Sequence, residues 1–253
     1  MAEILDGKAA SAAVRAQLKE EVASLKEKGI TPGLAVIIVG DDPASRIYVN
    51  NKKKACAEVG IYSEEFALPA DTSQEELLAL VASLNGRSDI NGILCQLPLP
   101  SHLSEKAIIE AVSPLKDVDA FHAANVGHIM IGDFSFLPCT PAGVMELLHR
   151  AGIDPAGKNC VVIGRSNIVG KPMALLLLHA DGTVVMCHSK TPDMKALAAS
   201  ADILVSAVGR VGLVTPDMVK EGAVVIDVAM NRNGEGKLCG DVDFGPVSQK
   251  ASY

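Results

Sequence analysis

The chain lacks any excess of positive charge. Lysine and arginine number 23 against 30 aspartates and glutamates, a formal net charge of −7. That balance offers no electrostatic footprint for nucleic acid, so the expected partner is a small molecule. A long apolar run is missing too. The Met173–Leu178 stretch, MALLLL, is far too short to span a membrane, and no signal-peptide pattern is present. A cytoplasmic protein with no membrane partner is expected. The six cysteines, Cys56, Cys95, Cys139, Cys160, Cys187 and Cys239, form no CxxC pair and no cysteine–histidine spacing suited to zinc. They read as reduced, mostly core-packed thiols, and no metal site is expected. There is no internal repeat and no low-complexity segment.

What is present suits an α/β protein. The 253 residues, 49% of them hydrophobic, suffice for one large or two ordinary domains. A helix over 8–28 ends at Gly29, and LAVIIVG (34–40) is a β-rich run closed by the turn DDP. A second helix, the strand YSEEFAL, a helix over 73–84 and GILCQLPLP (92–100) follow. This βαβ order predicts a parallel sheet with helices on both faces. Over 113–141 the texture turns rich in Gly, Pro, Asp and His with weak periodicity, which reads as a junction. The division expected is 1–120 and 121–253. The second half restarts with PAGVMELLHRAG, then strands in NCVVIG, TVVMCH (183–188), DILVSAV (202–208) and AVVIDVA (223–229). Such a unit binds nucleotides at the carboxyl ends of its strands.

SRIYVNNKKKACAEV (45–59) carries three consecutive lysines. At about 100° per residue, with Val49 at 0°, Cys56 falls at about 340°, Val59 at about 280°, Tyr48 at about 260° and Ala55 at about 240°. Lys52, at about 300°, lies inside this apolar stripe, Lys53 at its edge, and Lys54 roughly opposite. Lys53 and Lys54 therefore read as a solvated face. Lys52 either snorkels to water or serves chemistry, since burial lowers a lysine's pKa towards that of a base. Tyr48, one turn earlier, would offer it a flat aromatic face.

In CVVIGRSNIVGKP a buried strand runs into Gly164, a polar loop with Arg165, Ser166 and Ile168, then Gly170 and a helix with Pro172 in its first turn. Glycines let backbone approach a pyrophosphate, and the helix N-terminus would add free N–H groups. The spacing is not GxGxxG, so an ordinary strand-to-helix turn remains an alternative. The next strand ends in His188, Ser189 and Lys190, where an NAD enzyme would carry an acidic residue. Two cations, Arg165 and Lys190, with the Ser189 hydroxyl favour a 2′-phosphate, hence NADP.

Four stretches stand in order: YVNNK (48–52), CQLPLP (95–100), KDVDAFH (116–122), and PCTP with GRSNIVGKP (138–172). With VIDVAMN and GDVDF further on, the chain resembles the bifunctional methylenetetrahydrofolate dehydrogenase/methenyltetrahydrofolate cyclohydrolase family of one-carbon metabolism. The resemblance implies a catalytic α/β domain facing a Rossmann-like NADP domain across a cleft, in a homodimer. It implies removal of hydride from methylenetetrahydrofolate, then hydration of the methenyl product to 10-formyltetrahydrofolate. It makes Lys52 the catalytic lysine, has Tyr48 stack on the folate and Gln96 hydrogen-bond near Lys52, and gives Asp119 the pterin edge. Gln96 could otherwise cap a strand, and Asp119 could be a turn residue. His122 and His128 read as junction hydrogen-bonders.

The family usually has glycine where this chain has Ala120 and Ala229. Its members also continue beyond a segment like VSQKASY into a TPVPGGVGPMT-like loop and a returning helix. On that reading the chain as far as Tyr253 folds and binds NADP through Gly164–Gly170, with low folate turnover. Two competing readings stand beside it: a dehydrogenase of shikimate or amino-acid type, and a non-catalytic nucleotide-binding protein.

Overall fold

The computed structural model describes residues 1–253. They form two compact units: Lys8–His128 with Phe134–Phe136, and Met1–Gly7 with Ile129–Asp133 and Leu137–Tyr253.

In the first unit α1 (Gly7–Glu27), β1 (Gly33–Val39), α2 (Pro43–Val59), β2 (Tyr62–Leu68), α3 (Gln74–Gly86) and β3 (Gly92–Cys95) follow in turn, then α4 (Glu105–Ala111) and α5 (Ala123–Ile131), whose last three residues fall in the second unit. The strands make one parallel sheet in the order β2-β1-β3. β1 is buried on both faces, as expected of the centre strand of a parallel sheet. Ala35, Ile37 and Val39 pack with Leu77, Val81 and Leu84 of α3, while Val36 and Ile38 meet Val49 of α2 and Leu94. Local signals set the helix ends. Asp42 accepts from the Ser45 N–H at 2.7 Å to start α2, and Ser73 and Glu76 form a capping box on α3.

The second unit holds α6 (Cys139–Arg150), β4 (Asn159–Ile163), α7 (Gly170–His179), β5 (Thr183–Cys187), α8 (Met194–Ala199), β6 (Ile203–Ser206), β7 (Val224–Asp227), the short hairpin β8 (Asn231–Arg232) and β9 (Leu238–Cys239), and α9 (Phe244–Ser248). Its sheet is wholly parallel, in the order β5-β4-β6-β7. One face packs on Val144, Leu148, Met173 and Leu177, and the other on Ala198, Val214, Met218 and Val219. No helix is long and apolar enough to cross a membrane.

Two elements depart from the sequence reading. The weakly periodic stretch over 113–141 contains α5, of which Asn125 and Ile129 are buried while Val126, Met130 and Ile131 are exposed. A helix that buries so few residues leaves little apolar period to detect. The run after Cys95 is not strand: QLPLP leaves the sheet as a loop, since its two prolines cannot donate to a ladder. Among the cysteines, Cys56, Cys160 and Cys187 are buried, Cys95 and Cys239 half-buried, and Cys139 exposed, all as free thiols.

Candidate active site

In the first unit the site assembles beyond the carboxyl ends of β1 and β3. α2 presents Lys52 half-buried, while Val49, Cys56 and Val59 on the same stripe are buried. Lys52 Nζ donates to Gln96 Oε1 at 3.1 Å and lies 5.9 Å from the centroid of the Tyr48 ring, within cation–π range. Tyr48 is 40% exposed, so it flanks the stripe with its ring open to a ligand rather than lying in the core. Lys53 and Lys54 are exposed, as the wheel predicted. Lys53 is not merely solvated, however: its Nζ meets Glu65 at 2.7 Å, a carboxylate it shares with Arg46.

Gln96 follows β3 directly. Its N–H donates to the Ile37 carbonyl and its Nε2 to the Leu97 carbonyl, both at 2.8 Å, leaving Oε1 to face Lys52. Gln96 thus both closes the strand end, through its N–H and Nε2, and accepts from Lys52 through Oε1.

Asp119 is set by the KDVDAFH turn. Lys116 Nζ donates to the carbonyls of Leu84 and Arg87 at the end of α3, and Ile93 forms an isolated parallel bridge with Asp117. The buried Asp117 carboxylate accepts from the His122 N–H at 2.8 Å and from Asn125 Nδ2 at 2.9 Å. Burial pushes the Asp119 carboxyl up to about 6; the Lys52 charge opposes that rise and Asp117 adds to it. The neighbouring Cys95 thiol is pushed up to about 12 by burial, with the charges of Asp119 and Glu105 adding. Ala120 is fully buried at φ +54°, in the left-handed region that glycine tolerates best. Ala229 is not in that region.

The second unit carries the nucleotide-type loops. β4 and β5 are paired with Ile163 opposite Cys187, so the segments after them leave one sheet edge side by side. Gly164 has φ +129°, and a Cβ there would stand 2.6 Å from the Ala207 carbonyl oxygen; a Cβ at Gly170 would overlap Gly164 itself. Both glycines are required by this packing. The start of α7 does not offer free N–H groups as expected. Gly170 donates to Ser166 Oγ, Lys171 to the Ser166 carbonyl and Met173 to the Val169 carbonyl, while Pro172 has no N–H. The open backbone donors are instead the N–H groups of residues 165–168, none of which donates to an acceptor within the chain.

Arg165, Ser166, Ile168, Ser189 and Lys190 are exposed at this edge and His188 is half-buried. The HSKT turn is held by the Lys190 N–H donating to His188 Nδ1 and by the His188 N–H donating to Thr191 Oγ1. No acidic residue ends β5. This donor set, two cations with hydroxyls and open N–H groups, fits a phosphorylated dinucleotide.

Sequence reasoning passed over Asp117, Asn125, Asp227 and Asp241. All three aspartates lie inside the quoted motifs KDVDAFH, VIDVAMN and GDVDF, yet their partners, from 5 to 35 residues away, carry no local signal.

One unit with a parallel sheet and a glycine-bearing first loop, and a second unit carrying Lys52, Gln96 and Asp119, define a class: an α/β protein with a catalytic domain and a Rossmann-like NAD(P)-binding domain. Comparison with known families narrows it. Residues 5–119 match the tetrahydrofolate dehydrogenase/cyclohydrolase catalytic domain, and 138–253 match the NAD(P)-binding domain of the same description. The bifunctional protein FolD of Moorella thermoacetica is 60% identical over 252 residues, 100% of this chain and 90% of that one. The crystal structure of the bifunctional enzyme FolD, methylenetetrahydrofolate dehydrogenase/cyclohydrolase, from Campylobacter jejuni is 52% identical, with a TM-score of 0.98 over 100% of this chain and 90% of that one. That of the Trypanosoma brucei dehydrogenase-cyclohydrolase, complexed with NADP cofactor and inhibitor, is 40% identical, with a TM-score of 0.94 over 100% and 89%. The chain belongs to the tetrahydrofolate dehydrogenase/cyclohydrolase family.

Proposed function

We propose that this chain oxidises 5,10-methylenetetrahydrofolate to 5,10-methenyltetrahydrofolate with NADP and hydrolyses the latter to 10-formyltetrahydrofolate. The observation that carries the reading is the Lys52–Gln96 hydrogen bond, with the Tyr48 ring beside the same ammonium and the Asp119 carboxyl within the influence of its charge.

Hydrolysis of the methenyl cation forms a C–O bond and breaks one C–N bond; water gives up both protons, one to solvent and one to the nitrogen that leaves the carbon. A positioned amine can carry that proton, a contribution of roughly 10²–10⁴ in rate. Lys52 Nζ is the group for it, oriented by Gln96 Oε1 so that its remaining valences face the ligand. Tyr48 stacks on the pterin, whose flat face suits an open aromatic ring. Asp119 takes the pterin's N–H edge: its desolvated carboxyl lacks the donors that such an edge supplies. Residues 1–120 thus carry the folate chemistry and 121–253 the cofactor.

NADP, when bound, supplies the hydride acceptor. Arg165, Ser189 and Lys190 would hold its 2′-phosphate, and the open N–H groups of residues 165–168 with the Ser166 hydroxyl would receive its other phosphates; Ile168 and His188 belong to the same two loops. A homodimer in the cytoplasm completes the proposal, and sedimentation equilibrium tests the dimer.

The direct test follows methenyltetrahydrofolate absorbance with methylenetetrahydrofolate and either NADP or NAD. Appearance and then decay of the methenyl signal with NADP is expected. No folate-dependent signal with either cofactor would overturn the reading.

A further inference from the structure

We propose that Asp241 is a positioning residue for the dinucleotide: it fixes the backbone that follows β6 so that this segment forms one wall of the cofactor site. The inference rests on the cofactor reading above.

The segment Ala207–Arg210 is the immediate neighbour of the phosphate loop. β6 pairs with β4, Ser206 opposite Ile163, and the Ala207 carbonyl oxygen lies where a side chain on Gly164 would begin. Beside this contact Val208 and Val211 are exposed, an apolar surface next to the candidate phosphate-binding N–H groups. Ligands of such sheets bind outside the carboxyl ends of the strands, which is where these residues stand.

Asp241 holds that segment from behind. It is fully buried, and its carboxylate accepts from Ser206 Oγ at 2.8 Å and from the N–H groups of Val208 at 2.9 Å, Gly209 at 3.3 Å and Arg210 at 2.6 Å. Asn231 Nδ2 donates a fifth bond at 3.1 Å. All five donors are uncharged groups. A buried charge is costly unless its hydrogen-bonding capacity is filled, and an apolar side chain of similar volume is often the more stable occupant. What the carboxylate does that an apolar residue cannot is to draw three successive N–H groups to one point, leaving one backbone path for residues 208–210. Asp241 is anchored in turn: its own N–H and that of Val242 donate to the two oxygens of Asp227, at 3.0 and 2.9 Å, where β7 ends. The rigid end of β7 is thereby coupled to the loop after β6.

Hydrolysis of methenyltetrahydrofolate needs no dinucleotide, and Lys52, Gln96 and Asp119 belong to the other unit, so the second activity is an internal control. The experiment measures NADPH affinity by fluorescence titration and methenyltetrahydrofolate hydrolysis on the same full chain. Asp241→Asn is expected to raise the NADPH dissociation constant by roughly tenfold or more, since buried N–H groups lose their acceptor, with hydrolysis unchanged within about twofold. Arg165→Ala runs alongside. If it weakens NADPH while Asp241→Asn does not, the positioning proposal falls and the cofactor reading stands; if neither does, the cofactor reading falls, and the proposal with it. Should Asp241→Asn lose both activities, Asn231→Ala decides, because it removes one donor and leaves the carboxylate: weaker NADPH binding with normal hydrolysis supports the proposal, and unchanged binding overturns it.

Discussion

Asp119 and Asp241 are carboxylates drawn out of water, one in each unit, and they respond in opposite ways. Burial pushes Asp119 up to about 6, with the Lys52 charge as its main relief. Asp241 is the more deeply buried, yet it lies below the usual carboxylate range: desolvation alone would raise it, and the Val208 N–H, the Ser206 hydroxyl, the Arg210 N–H and Asn231 together outweigh that. Hydrogen bonds to the charged form, rather than depth, decide the direction. A carboxylate whose donors are all in the protein is a structural clamp. One that is desolvated without donors holds its proton to higher pH.

The largest test of this contrast is Lys52→Ala. It should lower methenyltetrahydrofolate hydrolysis by roughly 10²–10⁴ and leave NADPH affinity unchanged, with Lys54→Ala nearly silent in both assays. Equal losses from the two lysines would break the argument that only Lys52 serves the site. In the other unit Arg165→Ala should weaken NADP by about tenfold or more, because a charge-assisted contact contributes roughly 1.5–3 kcal/mol. NAD binding should barely move, and NAD binding as tight as NADP in the parent chain would refute the 2′-phosphate assignment.

The two aspartates themselves give a smaller effect of opposite sign. Asp119 has a native pKa above the unfolded carboxylate value of about 4, so the native state binds more protons and stability falls as pH rises from about 4 to about 6. Asp119→Asn should therefore stabilise the protein at pH 8, by about 1–2 kcal/mol after allowing for its partial exposure, with the gain vanishing towards pH 4. Asp241, held low, contributes stability above the unfolded value that is lost as pH falls through its native value. Asp241→Asn should thus lower the denaturation midpoint at pH 8 and differ less from the parent in acid. Denaturant titrations at pH 8 and pH 4 check both; the same sign for the two variants at pH 8 would undo the comparison.

Ala120→Gly should do least. Relief of a left-handed alanine is worth about 1–2 kcal/mol, offset by glycine's backbone entropy of roughly 0.5–1 kcal/mol and by the loss of a buried methyl. A net gain below about 1 kcal/mol in thermal unfolding is expected, and a loss of several would show that the methyl packs better than its backbone suggests.

Much of this was legible because it is local. The stripe through Val49, Lys52, Cys56 and Val59 follows from helix period, the strands LAVIIVG and NCVVIG from their buried runs, and the turns from Gly29, Gly40 and Gly152, each with positive φ. The basic end of β5 and the absence of an acid there were readable from type and position alone. The helix α5 was not, since its exposed Met130 and Ile131 break the amphipathic pattern, and neither was the closure of the α7 N-terminus by Ser166.

By itself, then, the sequence determined the α/β class, the place of Lys52 on the apolar stripe with Lys53 and Lys54 outside it, and the glycine-bearing loop after β4, because periodicity, glycine and residue type act within a few positions. Only the tertiary structure decided that Gln96 Oε1 meets Lys52, that Asp119 is desolvated while Asp241 is saturated with donors, and that Lys53 is tied to Glu65. Those outcomes depend on groups 44, 35 and 12 residues apart in the Lys52–Gln96, Ser206–Asp241 and Lys53–Glu65 pairs. Their meeting is set by strand order and by water excluded from packed faces, which no short stretch of chain encodes.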